Sequence, residues 1–133
     1  MGEIEQLQTE LKLRGFSPLT VRNYTFFVNK FLIHAHKNAS DLTEEDVKNY
    51  LAFLIEARSK STTMLAAASL KFFYTEVLKK PFVTVRVPKK EKRLPEVLTK
   101  EEVKSLIASC DTMKSRLMVS FLYSSGLCVS ELV

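Results

Sequence analysis

Three short segments announce helix starts, and they constrain the fold of this chain more tightly than any other feature. In "GFSPLTV", Gly15 ends one helix, Ser17 stands at the cap of the next, and Pro18 takes the first position, where no N–H is needed. Phe16 and Val21 occupy the staple positions around that cap. "DLTEEDV" repeats the device with Thr43 as cap, three acids in the first turn to meet the helix dipole, and Leu42 paired with Val47. "VLTKEEV" repeats it again, with Thr99 and Glu102 as a capping box and Leu98 stapled to Val103.

Between these starts the apolar residues recur at three- and four-residue steps. Val21, Tyr24, Val28, Phe31 and Ala35 form one stripe, and Val47, Leu51, Leu54 and the aliphatic stem of Arg58 form another. A helix over about Ser61–Lys79 carries Ala66, Leu70, Phe73 and Val77, and Pro81 ends it. With a first helix over Ile4–Leu13, residues 1–80 make a four-helix unit. Residues 81–97 hold three prolines and "KKEKR" with too few apolar residues for a core element, and are expected to be a linker. Helices over Lys100–Ser109 and Met113–Ser125 follow, then the start of a third after Gly126. Two helices and a stub are too small to stand alone, which leads to the expectation that further chain follows Val133.

Only 3 Gly and 4 Pro among 133 residues, with alternating strand-type runs nearly absent, make the class all-α. No stretch approaches the roughly 20 apolar residues that span a bilayer, and the start "MGEIEQLQTE" is polar and acidic, so no membrane partner and a cytoplasmic, nucleoid-associated location are expected. Cys110 and Cys128 lack paired spacing and are expected as reduced, buried thiols. His34 and His36 point to different helix faces with no ligand spaced to join them, so no metal is expected.

The net charge of +5 is unevenly placed: Arg58 to Arg93 holds ten basic residues against two acidic ones, Glu76 and Glu91. A local excess of that size beside an acidic remainder suggests a polyanion partner. Helix 4 opens "RSKSTTMLAAASLKFFY", where Lys60 and Lys71 can neutralise phosphates and Ser61, Thr62, Thr63 and Ser69 can donate hydrogen bonds. Ala67 and Ala68 allow close approach to a groove, although small residues also suit helix packing. Ser17, Thr20, Arg22 and Asn23 form a second set at the start of helix 2, where capping alone explains Ser17, and Lys89, Lys90, Lys92 and Arg93 add linker cations. The four tyrosines, Tyr24, Tyr50, Tyr74 and Tyr123, all fall in helices, where packing roles are expected.

The order of "GFSPLTVRNY", "LTEEDVKNYLAFL", "STTMLAAASLKFFY", "VPKKEKRLPEVLTKEEVKSLI" and "RLMVSFLYSSGLCVSELV" resembles the tyrosine recombinases, or phage-type integrases, especially their Xer-like members. The resemblance implies that residues 1–80 are a SAM-like core-binding domain clasping one face of double-stranded DNA. It further implies that residues 81–97 cross to the opposite face and that residues 98–133 begin a catalytic domain. The final stretch resembles the family's G-L-R-x-S-E-L segment, whose Arg grips the scissile phosphate, and Cys128 stands at that position. A guanidinium offers a fixed fork of donors and a permanent charge, whereas a thiol is mostly neutral and donates weakly. The family's remaining groups, a Lys, a His-x-x-Arg pair, a further His or Trp and the tyrosine nucleophile, would lie beyond Val133.

The parent reaction implied is cleavage through a 3'-phosphotyrosyl bond and rejoining to a partner strand, with no cofactor. The chain as given is expected to bind DNA without cutting it, and its partners are expected to include other recombinase protomers. Residues 98–133, with Leu117, Met118, Phe121, Leu122 and Tyr123, are expected to self-associate. Two other readings stay open here: a stand-alone DNA-binding regulator or decoy derived from a recombinase, and a helical protein-interaction module with a merely solvated linker.

Overall fold

The computed structural model describes residues 2–82 and 84–133; Met1 and Val83, the latter within the expected linker, lie outside the described residues. The helices are α1 (Glu3–Leu13), α2 (Pro18–Ala35), α3 (Glu44–Ala57), α4 (Lys60–Phe72), α5 (Lys100–Ala108), α6 (Met113–Ser125) and α7 (Val129–Leu132). A 3-10 turn spans Ala39–Asp41 and a π-helical turn spans Phe73–Val77, and no strand occurs among the described residues. The fold is all-helical, and it divides into two compact units, Met1–Glu91 and Lys92–Val133.

The helix starts are built from the capping residues. Ser17 Oγ accepts the Thr20 N–H at 3.2 Å, with Pro18 at the first position of α2. At α5 the box is reciprocal: Thr99 Oγ1 accepts the Glu102 N–H at 3.2 Å and the Glu102 carboxylate accepts the Thr99 N–H at 2.8 Å. At α3 the Asp46 carboxylate accepts both the N–H and the hydroxyl of Thr43, at 2.9 and 3.0 Å. The exits use left-handed residues, His36 after α2 and Gly126 after α6.

The core of the first unit gathers Leu7 and Leu11 from α1, Val21, Phe27, Val28 and Phe31 from α2, Val47, Tyr50, Leu51 and Leu54 from α3, and Ala66 and Leu70 from α4. Phe73 and Tyr74 complete it from the π-helical turn. Each large apolar side chain fully buried in this way contributes about 1.5–3 kcal/mol. Tyr24, Ala35 and Val77, expected in the stripes, are half-buried at the core's margin.

Three expectations are corrected. Arg58 does not complete the α3 stripe: α3 ends at Ala57, Arg58 is extended and exposed, and Ser59 caps the next helix by accepting the Thr62 N–H at 3.3 Å. The fourth helix is not uniform to Lys79, because the chain widens after Phe72 and the Leu78 N–H reaches back to the Phe73 carbonyl at 3.0 Å. The linker is not free of core contacts either, since Phe82, Val85 and Val87 pack on the first unit's core while Thr84 and Arg86 between them stay exposed. From Thr84 to Val87 exposed and half-buried side chains alternate, so this part of the linker lies as a strap along the core.

Polar fastenings hold the strap's approach. The buried Tyr74 hydroxyl donates to the Thr43 carbonyl at 3.1 Å, and burial, then the Asp46 charge, push its phenol pKa up. The Lys80 ammonium donates to the carbonyls of Ala39, Ser40 and Leu42 at 3.3, 2.6 and 3.3 Å, satisfying the turn that joins α2 to α3. In the second unit α6 packs with both α5 and α7, and Val103 is the sole buried side chain described there.

Asp46 ties the α3 start to Lys37 at 2.8 Å, and that hydrogen bond, aided by those from Thr43 and opposed by partial burial, holds its carboxyl below the usual range. A lowered folded pKa contributes stability that is present above the unfolded value of about 3.9 and is lost as pH falls through the folded value. Asp46→Asn should therefore cost about 1 kcal/mol near pH 7, with the gap closing as pH falls below about 4, read from urea unfolding at each pH. An unchanged gap at pH 3 would contradict the assignment. Lys80→Met should lower stability by about 1–3 kcal/mol, because three carbonyls lose a charged donor.

Candidate nucleic-acid interface

Helix α4 presents two opposite faces. Thr63, Ala66, Ser69 and Leu70 are all 0% exposed and look into the core. Lys60, Ser61, Met64, Ala68 and Lys71 are exposed and recur at the steps that keep them on the other side. Thr63 and Ser69 therefore leave the candidate set: the Thr63 hydroxyl donates to the Ser59 carbonyl at 3.2 Å and the Ser69 hydroxyl to the Ala66 carbonyl at 2.7 Å. A hydroxyl bonded to a carbonyl of its own helix keeps its donor satisfied when buried, which is why two polar residues fit the inner stripe. Thr62 is half-buried, its hydroxyl sharing a hydrogen bond with Ser59 at 3.0 Å.

The start of α2 repeats that arrangement. Ser17 and Thr20 share a hydroxyl–hydroxyl bond at 3.0 Å, Arg22 is exposed and Asn23 is half-buried. Three rings connect this end of α2 to the far end of α4: Phe16 lies 5.7 Å and Tyr24 6.1 Å from Phe72, and 6.1 Å from each other. Phe16 precedes Ser17 and Phe72 follows Lys71, so the ring cluster brings the Ser17 cap close to the Lys71 end of the exposed stripe. Lys60 stands at the other end, about 16 Å away along the helix. Lys89 and Lys90 are exposed in the strap's continuation, and Lys92 and Arg93 are exposed in the second unit.

Electrostatics separate the helices in a way the sequence reading missed, although the signal lies in the sequence. Neither α2 nor α4 contains an acidic residue, whereas α1 carries Glu3, Glu5 and Glu10, and α3 carries Glu44, Glu45, Asp46 and Glu56. The first turns of α2 and α4 are thus capped by hydroxyls alone, and their dipole ends keep a positive potential that acids neutralise at α1 and α3. Within the basic stretch, Lys80 is engaged on its three carbonyls and Lys79 with Glu76 at 3.7 Å.

The expectation of buried thiols is corrected: Cys110 is half-buried and Cys128 is exposed. Cys128 begins α7, and its N–H donates to the Glu131 carboxylate at 2.7 Å. Of the tyrosines, Tyr50 and Tyr74 are core residues and Tyr24 is half-buried, but Tyr123 is 58% exposed.

Residues 4–84 match the family described as phage integrase, N-terminal SAM-like domain, and this span covers all four helices of the first unit and the exposed stripe. The chain belongs to the phage integrase SAM-like family. It is 37% identical over 136 residues to tyrosine recombinase XerA of Pyrococcus furiosus, covering 97% of this chain and 45% of that protein. It is 35% identical over 135 residues to tyrosine recombinase XerC of a Staphylococcus aureus strain, covering 90% and 45%. A crystal structure of XerA recombinase superposes with a TM-score of 0.56 at 27% identity, covering 90% of this chain and 44% of that one. The chain thus spans a little under half the length of these recombinases.

The two faces of α4 in this SAM-like domain make a sharp prediction. Ser69→Lys places an unpaired charge in the core and should cost more than about 3 kcal/mol, whereas Ala68→Lys, one residue earlier, should stay within about 0.5 kcal/mol. Thermal unfolding of both variants reads the difference, and equal losses would contradict the assignment of the faces.

Proposed function

We propose that this chain is the DNA-gripping portion of a site-specific tyrosine recombinase, binding double-stranded DNA through the α2 start and the outward stripe of α4. One observation carries the reading: the exposed stripe Lys60, Ser61, Ala68 and Lys71 combines cations, a hydroxyl and a small side chain, on a helix without acids, inside the integrase-matched span. That combination suits a phosphate backbone, where cations supply affinity and short donors fix register. Ser17, Thr20, Arg22, Asn23 and Thr62 add short donors and a further cation in the same domain, and Lys89, Lys90, Lys92 and Arg93 add charge. The similarity to XerA and XerC supports residues 98–133 as the beginning of a catalytic domain. With an exposed thiol at Cys128 in place of the expected phosphate-gripping Arg, the chain binds DNA and does not cleave it.

Binding should be weak and governed by salt. With about four cations on phosphates, log K should fall against log salt with a slope near −3.6, and Lys60→Ala or Lys71→Ala should each flatten it by about one unit. Fluorescence anisotropy of a labelled duplex measures this, and an undetectable or salt-insensitive interaction at low ionic strength would overturn the reading.

The second unit also engages another copy of the chain. Leu117, Phe121 and Tyr123 of α6 are 65%, 47% and 58% exposed, a run of large apolar groups that an isolated surface seldom leaves uncovered. Sedimentation should find a dimer or larger species, and Leu117→Glu with Phe121→Glu should return a monomer. A monomer at all concentrations in the unsubstituted chain would contradict it.

A further inference from the structure

A further concave surface of the first unit borders the α4 stripe only near the start of that helix. A groove of about 810 Å³ runs between α2 and the later part of α3, with Thr62 at one edge. We propose that it receives an acidic amphipathic helix of a partner protein. Phe26 and Ile33 on α2 and Phe53 on α3 line it while 54%, 57% and 51% exposed, a concentration of large apolar groups with nothing over them. Phe26, Lys30 and Ile33 are spaced as one face of α2, beside the α3 face that carries Phe53. Two adjacent helices with an uncovered apolar seam match the shape of a third helix laid along them.

The rings are already ordered. Phe26 packs edge-on against Phe27 at 5.4 Å, and His34 stacks on Phe53 at 5.1 Å and 25°. Binding therefore immobilises little that is not fixed beforehand.

Charge selects the occupant. Lys30, whose ammonium sits 5.8 Å from the Phe26 ring, and Arg58 line the groove, no carboxylate does, and neither cation is ion-paired with a described residue. A helix with acids flanking an apolar face complements both features. A second copy seated groove to groove would set Lys30 and Arg58 against their own like charges. Duplex DNA is disfavoured because the floor is mostly carbon and offers few donors to a phosphate that must shed water.

The test uses a fluorescein-labelled peptide of about 18 residues, long enough to form a helix, with leucine along one face and glutamate along the other, and its lysine counterpart. The intact chain should bind the glutamate helix at least tenfold more tightly than the lysine helix by anisotropy. Amide shifts in the unsubstituted chain should cluster at Phe26, Ile33 and Phe53. Ile33→Ser and Phe53→Ser, both at exposed positions, should weaken binding about tenfold with thermal unfolding unchanged, and Lys30→Glu with Arg58→Glu should reverse the preference. DNA affinity should be the same in Phe53→Ser, which keeps this result separable from the DNA reading. Equal binding of the two helices, or shifts elsewhere, would overturn the proposal. So would a thymidine oligonucleotide binding more tightly through Phe53, which would point to single-stranded DNA, or loss of a chain dimer in Phe53→Ser, which would point to a second copy.

Discussion

Burial of one side of α4 against α2 and α3 sets the geometry of the first unit. Thr63, Ala66, Ser69 and Leu70, continued by Phe73 and Tyr74, are each no more than 1% exposed. A helix fixed on that side cannot rotate, so Lys60, Ser61, Ala68 and Lys71 are presented together by the same packing that stabilises the domain. The π-helical turn then delivers the Tyr74 hydroxyl to the Thr43 carbonyl, and Lys80 closes over the turn before α3. The outward stripe inherits its rigidity from the core beneath it, which limits the entropy lost when a ligand is gripped.

Charge is distributed by helix and not merely by sequence interval. Glu5 and Asp46 cap the starts of α1 and α3, and Glu10 and Asp46 pair with Arg14 and Lys37, while α2 and α4 have no carboxylate and rely on Ser–Thr hydroxyl caps. The result is a domain whose acid-free helices supply the proposed backbone-binding stripe and, together with Arg58 after α3, the cationic rim of the α2/α3 groove. These surfaces differ in chemistry: short polar side chains and cations on α4, exposed rings with cations at the rim between α2 and α3. Such a division would set the proposed nucleic-acid and polypeptide sites on different faces of one small domain, meeting near Thr62.

Much of the fold was legible because caps act locally. Ser17, Thr43 and Thr99 mark the starts of α2, α3 and α5, since each capping partner lies within one turn, and stripes such as Val47, Leu51 and Leu54 follow from helical spacing. The missed features depend on longer range. The widened turn after Phe72 satisfies tertiary packing that no local pattern specifies, and the inward Phe82, Val85 and Val87 have meaning only against a core already in place. Thr63 and Ser69 were misassigned because residue type outweighed position: Thr63, Ala66, Leu70 and Phe73 share one helical stripe, and that spacing was available in the sequence. Arg58 failed for the opposite reason, spacing outweighing the Ser59 cap beside it.

Amide chemical-shift mapping of the intact chain, titrated with a short DNA duplex at low salt, tests the central claim most directly. The largest shifts should fall on Ser17–Asn23 and on the outward positions Lys60, Ser61, Ala68 and Lys71, the groups proposed to face the DNA backbone. Core positions such as Leu7 and Leu51 should move little. Shifts confined to Lys89–Arg93, or centred on Phe26 and Phe53, would contradict the account, because DNA would then be held by a solvated cationic segment or by the apolar groove and not by the face that α4 turns outward.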